Sequence, residues 1–191
     1  MSKVLIFLCF ILIICQSCTI NGSLQGLYSY YNKTDKENEN LFQKIDSHEV
    51  LCEIKNDQTP KILITNGDIL KKCLQEKENS IIYIWSPKCK SGMCYPLDII
   101  QRECNNNGIE LFVIAEYYDS EFMNKSYDIN CPIIGIDVKY YKSNITSKYL
   151  SLFIRDLTQQ NDIHDQFIFF EEGIYIRSFN NIDTLSVLVP K

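Results

Sequence analysis

Cys89 and Cys94 punctuate the stretch Trp85-Ser86-Pro87-Lys88-Cys89-Lys90-Ser91-Gly92-Met93-Cys94-Tyr95-Pro96, which lies between a strongly apolar run and an amphipathic one. Two thiols this close along a chain can cycle between a dithiol and a disulfide. The attacking species in that exchange is a thiolate, and a second thiol nearby resolves the mixed disulfide intramolecularly. A helix beginning beside the pair favours the chemistry, because its free N–H groups and partial positive charge stabilise a thiolate. The structural alternative is a bridge that pins the loop and reacts with nothing.

Placing the pair requires a strand before it and a helix after it, and the hydrophobic pattern supplies both. Residues 80–85 form a nearly continuous apolar run, as in a strand buried on both faces. Apolar residues recur at helical spacing from about 93 to 104, and Asn105-Asn106-Asn107-Gly108 stops that helix. Upstream, 61–65 reads as a strand, Asn66-Gly67-Asp68 as a turn and cap, and 69–74 as an amphipathic helix. Downstream, 109–115 reads as a third strand, 121–126 and 146–157 as helices, and 181–189 as a closing helix. Residues 167–170 and 174–177 pair as a hairpin around Glu171-Glu172-Gly173, while 127–145 is unassigned by periodicity. Alternating strands and helices that end in a hairpin predict an α/β fold: a central mixed sheet flanked by helices, with a terminal antiparallel hairpin.

The 191 residues suit one domain of ordinary size and a short extension. A formal net charge of -5 argues against nucleic acid as a partner, since phosphate binding wants clustered Lys and Arg. Nine cysteines are many for a reducing cytosol. Residues 4–15 are wholly apolar behind Lys3, the proportions of a secretory signal, and short of the ~20 apolar residues of a spanning helix. Gln16-Ser17-Cys18 follows. A small residue directly before a cysteine at the end of such a run resembles a bacterial lipoprotein signal, which implies cleavage before Cys18 and its lipidation. Residues 32–40 contain no apolar side chain and read as solvated spacer. The expected organisation is a signal peptide over 1–17, a lipid-anchored polar tether over 18–45 and a folded domain over 46–191. The expected location is the bacterial cell envelope, anchored to the membrane and facing the periplasm or exterior. Plain secretion and an uncut anchor stay open.

Cys9 and Cys15 belong to the signal, so Cys52, Cys73, Cys89, Cys94, Cys104 and Cys131 remain besides Cys18. An even number permits complete pairing, with the connectivity open. Cys73 and Cys104 fall on apolar helix faces and read as buried thiols or structural bridges. Cys131, before Pro132, reads as structural or as an extra redox partner.

The run from Trp85 to Cys94, set between a buried strand and a helix, resembles the thioredoxin-like superfamily. In that family a Trp after the central strand leads into a cysteine pair that opens a helix. The strand order and the hairpin with Phe170-Glu171-Glu172-Gly173 at its turn are similar too, and the likeness covers roughly residues 60–190. The resemblance implies a thioredoxin-like fold and a thiol–disulfide oxidoreductase that needs no cofactor and acts on protein thiols or disulfides of the envelope. Cys89 takes the place of the exposed nucleophile and Cys94 of the resolving thiol. Glu116, about where the family carries a lysine, is a candidate proton shuttle for Cys94. Trp85, Pro87, His164 and Asp165 fall around the substrate groove.

Three departures keep other readings open. The pair is spaced C-x4-C, Tyr83 replaces the family's buried carboxylate, and His164-Asp165 stands where the family has its cis-proline. A non-catalytic thioredoxin-like lipoprotein with a structural Cys89–Cys94 disulfide is the second reading. The third is copper handling: Cys89, Cys94 and His164 resemble the ligand set of Sco-type copper chaperones, and two thiolates with an imidazole suit that metal.

Overall fold

The structure, a computed structural model, describes residues 26–188 except 57, 58, 90 and 93. The expected signal peptide and Cys18 lie outside the described residues. Among the described residues, no helix is long and apolar enough to cross a membrane.

Seven strands make one mixed sheet: β1 (Phe42–Lys44), β2 (Ile62–Thr65), β3 (Asn79–Trp85), β4 (Glu110–Ala115), β5 (Ile133–Ile136), β6 (Phe167–Glu171) and β7 (Ile174–Phe179). Their order across the sheet is β1-β2-β5-β4-β3-β6-β7. The first five strands are mutually parallel. β6 runs antiparallel to β3, and β7 to β6. Every residue of β2, and of 80–85, 111–115 and 167–170, is buried. That explains the unbroken apolar runs of these strands, since a strand covered on both faces has no polar side to show.

The helices are α1 (Tyr31–Glu37), α2 (His48–Glu53), α3 (Gly67–Leu74), α4 (Leu97–Asn106), α5 (Ser120–Met123) and α6 (Thr146–Thr158), followed by a 3-10 turn at Ile182–Val187. α3 begins where the Asn66 side chain accepts the Ile69 N–H at 3.1 Å, and it buries Leu70, Cys73 and Leu74. It packs between α2 and α6, and α6 buries Tyr149, Phe153, Ile154 and Leu157. α4 packs against β4 and the 3-10 turn. The hairpin turn at Glu172-Gly173 takes positive φ at both residues, the mirror-image turn that matches strand twist.

The architecture is the expected α/β sheet flanked by helices with a terminal antiparallel hairpin, and four local expectations are corrected. The helix after β3 starts at Leu97 rather than near 93. Pro96 sits at its N-cap, and a residue before proline is biased out of the helical region, so Tyr95 cannot extend the helix upstream. The unassigned span 127–145 contains β5, which lies in mid-sheet between β2 and β4. Gly135 breaks its apolar pattern because a Cβ there meets Tyr118 Oη at 2.6 Å. Residues 31–45, read as tether, carry α1 and β1: Leu41 and Ile45 are buried, and Ile45 N–H donates to Ile64 O at 2.9 Å. The ring of Tyr31, 5.0 Å from Phe42 and 5.1 Å from Tyr118, fixes the otherwise polar α1 to the body. The closing segment is a 3-10 turn rather than an α-helix.

Candidate functional site

β3 leads out of the sheet at Trp85, β4 ends beside it at Ala115, and β6 begins at Phe167 on β3's other flank. The segments 86–96, 116–119 and 163–166 therefore meet at one end of the sheet. The carboxyl ends of parallel strands are where α/β sheets place ligands and chemistry.

Trp85 is buried and stacks edge-on to Tyr127 at 5.4 Å. Pro87, also buried, follows Ser86 in a turn closed by Cys89 N–H donating to Ser86 O at 3.0 Å. Proline suits that second turn position because its φ is already set. Lys88 clamps the loop from the side. Its N–H donates to Tyr117 Oη at 3.1 Å, and its Nζ lies 2.6 Å from Asp119 Oδ2. The Asp119 hydrogen bond raises the Lys88 ammonium above its ordinary pKa. Asp119 also caps α5, accepting from Glu121 and Phe122 N–H groups.

Cys89 and Cys94 are paired, with Cα atoms 5.9 Å apart, inside the span a disulfide bridges. Cys89 is exposed and Cys94 half-buried. Ser91 Oγ lies 3.5 Å from Cys89 Sγ and 3.1 Å from Cys94 Sγ. Cys94 N–H donates to Ser91 O at 3.1 Å. The pair does not open the helix as expected. Cys94 precedes the Pro96 cap by two residues and Cys89 by seven, and helix-end stabilisation fades within a turn.

Glu116 is half-buried, and its carboxylate accepts a hydrogen bond from Ser86 Oγ. Its carbonyl accepts from Tyr149 Oη. It is thus tied to Ser86, Trp85 and Tyr149, whereas the side-chain partner of Cys94 is Ser91. Tyr83 is buried against Phe167, with ring centroids 4.9 Å apart. Burial pushes its phenol up to about 12, while a hydrogen bond from the Tyr95 backbone pulls the other way.

Asp165 turns toward β7: its carboxylate accepts from Ser178 Oγ and from Asn180 Nδ2, the latter at 2.6 Å. His164 is exposed. Glu116, His164, Asp165 and Ser86 share a cavity of about 370 Å³. Cys89 and Cys94 are not among its lining residues, so the pair adjoins the cavity through Ser86 rather than forming its wall. Among the described residues, no group of three or more His, Cys, Asp or Glu side chains converges to hold a metal. Cys89, Cys94 and His164 are thus not assembled as the expected copper set.

A second bridge joins Cys52 on α2 to Cys73 on α3, with Cα atoms 5.4 Å apart and Cys73 fully buried. Cys104 and Cys131 are free. Burial pushes both thiols up to about 12, and Cys131 Sγ also donates to Glu110 Oε1 at 3.5 Å. Neither is a ready nucleophile at neutral pH.

Ser86, Lys88, Tyr117, Asp119 and Tyr149 brace this end of the sheet, and of these sequence pattern alone marks only Asp119. Asp119 before Ser120-Glu121 carries a readable cap signal. Tyr149 carries none, because its apolar helix spacing looks the same whether or not its hydroxyl has a partner. No protein-family model, no curated protein and no solved structure matches the chain.

Proposed function

We propose that this protein is a thioredoxin-like thiol–disulfide oxidoreductase of the bacterial cell envelope, anchored by lipid on Cys18 and acting on protein thiols or disulfides. One observation carries the chemistry: of the two cysteine pairs among the described residues, Cys52–Cys73 joins two packed helices, whereas Cys89–Cys94 sits on a surface loop with Cys89 exposed. Exchange needs in-line access to a sulfur, and of the four bridged cysteines Cys89 is the exposed one. The fold reading is supported by β4-β3-β6-β7, two parallel strands followed by two antiparallel ones, with α4 connecting β3 to β4.

In the reductive direction the Cys89 thiolate attacks one sulfur of a substrate disulfide. A Cys89–substrate bond forms, the substrate S–S bond breaks, and the departing thiolate takes a proton. The Cys94 thiolate then attacks Cys89 Sγ, expels the second substrate thiolate and closes the Cys89–Cys94 bond. Two electrons pass from the enzyme dithiol to the substrate. The reverse sequence oxidises a substrate dithiol, and the potentials of the two couples set the direction.

The test is reduction of insulin disulfides by the full chain in detergent, with Cys89→Ser alongside. Activity lost in Cys89→Ser supports the reading. Activity that is absent, or unchanged in that variant, overturns it. A late helix start favours the non-catalytic reading, in which Cys89–Cys94 only pins the loop, because no helix N-terminus lies beside Cys89. That reading requires a pair as resistant to dithiothreitol as Cys52–Cys73.

A further inference from the structure

The cavity at the strand ends has a wall and a floor of different chemistry. Ile84, Leu150, Ile154 and Ile163 give it an aliphatic side, while Glu116 and Asp165 carry its negative charge. No Lys or Arg lines it among the described residues. Asp165 is already engaged by Ser178 and Asn180. Glu116 spends one oxygen on Ser86, and a carboxylate has further acceptor positions. Ser86 joins this cavity to the cysteines, since it lines the one and its carbonyl accepts the Cys89 N–H at 3.0 Å. Three residues of chain span at most about 10 Å, so the cavity lies within about three residues of a cysteine docked on Cys89.

We propose that this cavity seats a Lys or Arg side chain of the substrate polypeptide, close in sequence to the cysteine that Cys89 attacks. The methylene stem lies along Ile84, Leu150 and Ile154, and the cationic head meets Glu116. Long basic side chains divide in this way between an apolar surface and a polar tip, and a charged partner strengthens the hydrogen bond. The proposal rests on the oxidoreductase reading and names its substrate class: segments with a basic residue beside cysteine.

The test uses the reduced Cys94→Ser variant of the full chain, which stops at the mixed disulfide. The probes are three peptides, each with one cysteine carried as its thionitrobenzoate disulfide and with Lys, Leu or Glu two residues away. The Cys89 thiolate attacks the peptide sulfur, the bond to thionitrobenzoate breaks, and the released aromatic thiolate is read by its absorbance. The Lys peptide is expected to react about fivefold faster than the Leu peptide, the scale of one partly exposed ion pair, with the Glu peptide slowest. Only ratios between peptides are compared, so any common effect of a variant on Cys89 cancels. Glu116→Gln collapses the Lys-to-Glu ratio, whereas Glu121→Gln, the same charge change on exposed α5, leaves most of it. Ser151→Lys, which adds a cation at the cavity from an exposed position of α6, inverts the preference. Equal rates for the three peptides, or a ratio indifferent to Glu116→Gln, overturn the inference and leave the oxidoreductase reading standing. Failure of every peptide to react with Cys89 overturns both.

Discussion

Ser86 Oγ donates a hydrogen bond to the Glu116 carboxylate, tying the carboxyl ends of β3 and β4 together three residues ahead of Cys89. The same two segments are joined again by Glu116 N–H donating to Trp85 O at 2.8 Å, and α6 closes the third side through Tyr149 Oη on the Glu116 carbonyl. The cysteine loop thus springs from a cross-linked base. A stiff base fixes where the sulfurs stand, and that decides whether an incoming sulfur finds an in-line approach.

The Ser86–Glu116 bond is expected to be measurable as a coupling. A hydrogen bond to a charged acceptor contributes roughly 1.5–3 kcal/mol when buried, and this one is half-buried, so about 1 kcal/mol is expected. A double-mutant cycle of Ser86→Ala and Glu116→Ala, each of which removes one partner of the bond, followed by denaturant unfolding of the oxidised protein, reads it. Strictly additive losses would show that the two side chains do not share a bond.

Limited reduction is expected to separate the two bridges. Cys89–Cys94 is on the surface, and Cys73 has no exposed area. Low dithiothreitol followed by alkylation and peptide mass mapping therefore labels Cys89 and Cys94 first, with Cys52 and Cys73 labelled only as the fold opens. Removing the bridge across the 21-residue separation of Cys52 and Cys73 costs about 3 kcal/mol on the loop-entropy scale. Earlier labelling of Cys73 than of Cys89 contradicts this assignment.

Much of the fold is legible in the sequence because buried strands write themselves as apolar runs. β3, β4 and β6 are covered on both faces, so their side chains have no reason to alternate. β5 escapes because it is four residues long and Gly135 interrupts it for the sake of the Tyr118 hydroxyl, a packing partner far outside any local window. β1 and α1 escape because single aromatic and aliphatic anchors, Tyr31, Leu41 and Ile45, hold an otherwise polar stretch. The Cys89–Cys94 pair is legible through the resemblance of the run from Trp85 to Cys94, whereas the cysteine count alone leaves the connectivity open. The late start of α4 is readable too, in Tyr95-Pro96, but the helical period of the following residues outweighs it. That Glu116 serves Ser86 rather than a thiol is a matter of tertiary placement, which no spacing encodes.

Two glycines offer a paired test of the backbone. Gly173 has φ +74, and a Cβ there meets the Gln75 backbone at 2.8 Å. Gly173→Ala is expected to destabilise by about 1–3 kcal/mol, from left-handed strain and from displacement of the chain after α3. A Cβ at Gly92, in the cysteine loop, would meet no atom within 4 Å, and φ there is not positive, so Gly92→Ala is expected to be neutral in thermal unfolding. Equal losses in the two variants would contradict the hairpin geometry.

Alkaline pH is expected to unfold the protein through its buried acids. Burial pushes Cys104 from 9.0 up to about 12, and Cys131 likewise, with Glu110 adding to the effect. In the unfolded chain these thiols lose their protons near pH 9.0, whereas in the fold they keep them until about pH 12. The folded state therefore binds more protons across that window, and stability falls as pH rises. The contribution is fully present below about pH 9 and exhausted above about pH 12. Tyr83 and Tyr127, pushed from 10.0 to about 12 by burial, steepen the loss in its upper part. Each such group adds at most about 1.4 kcal/mol per pH unit. Cys104→Ala removes one of them, so its stability is lower at neutral pH but falls less steeply from about pH 9 upward. Urea titrations completed within minutes of the pH jump, ahead of disulfide reshuffling, measure that slope. A slope unchanged in Cys104→Ala would mean that this thiol ionises in the fold as readily as in the open chain.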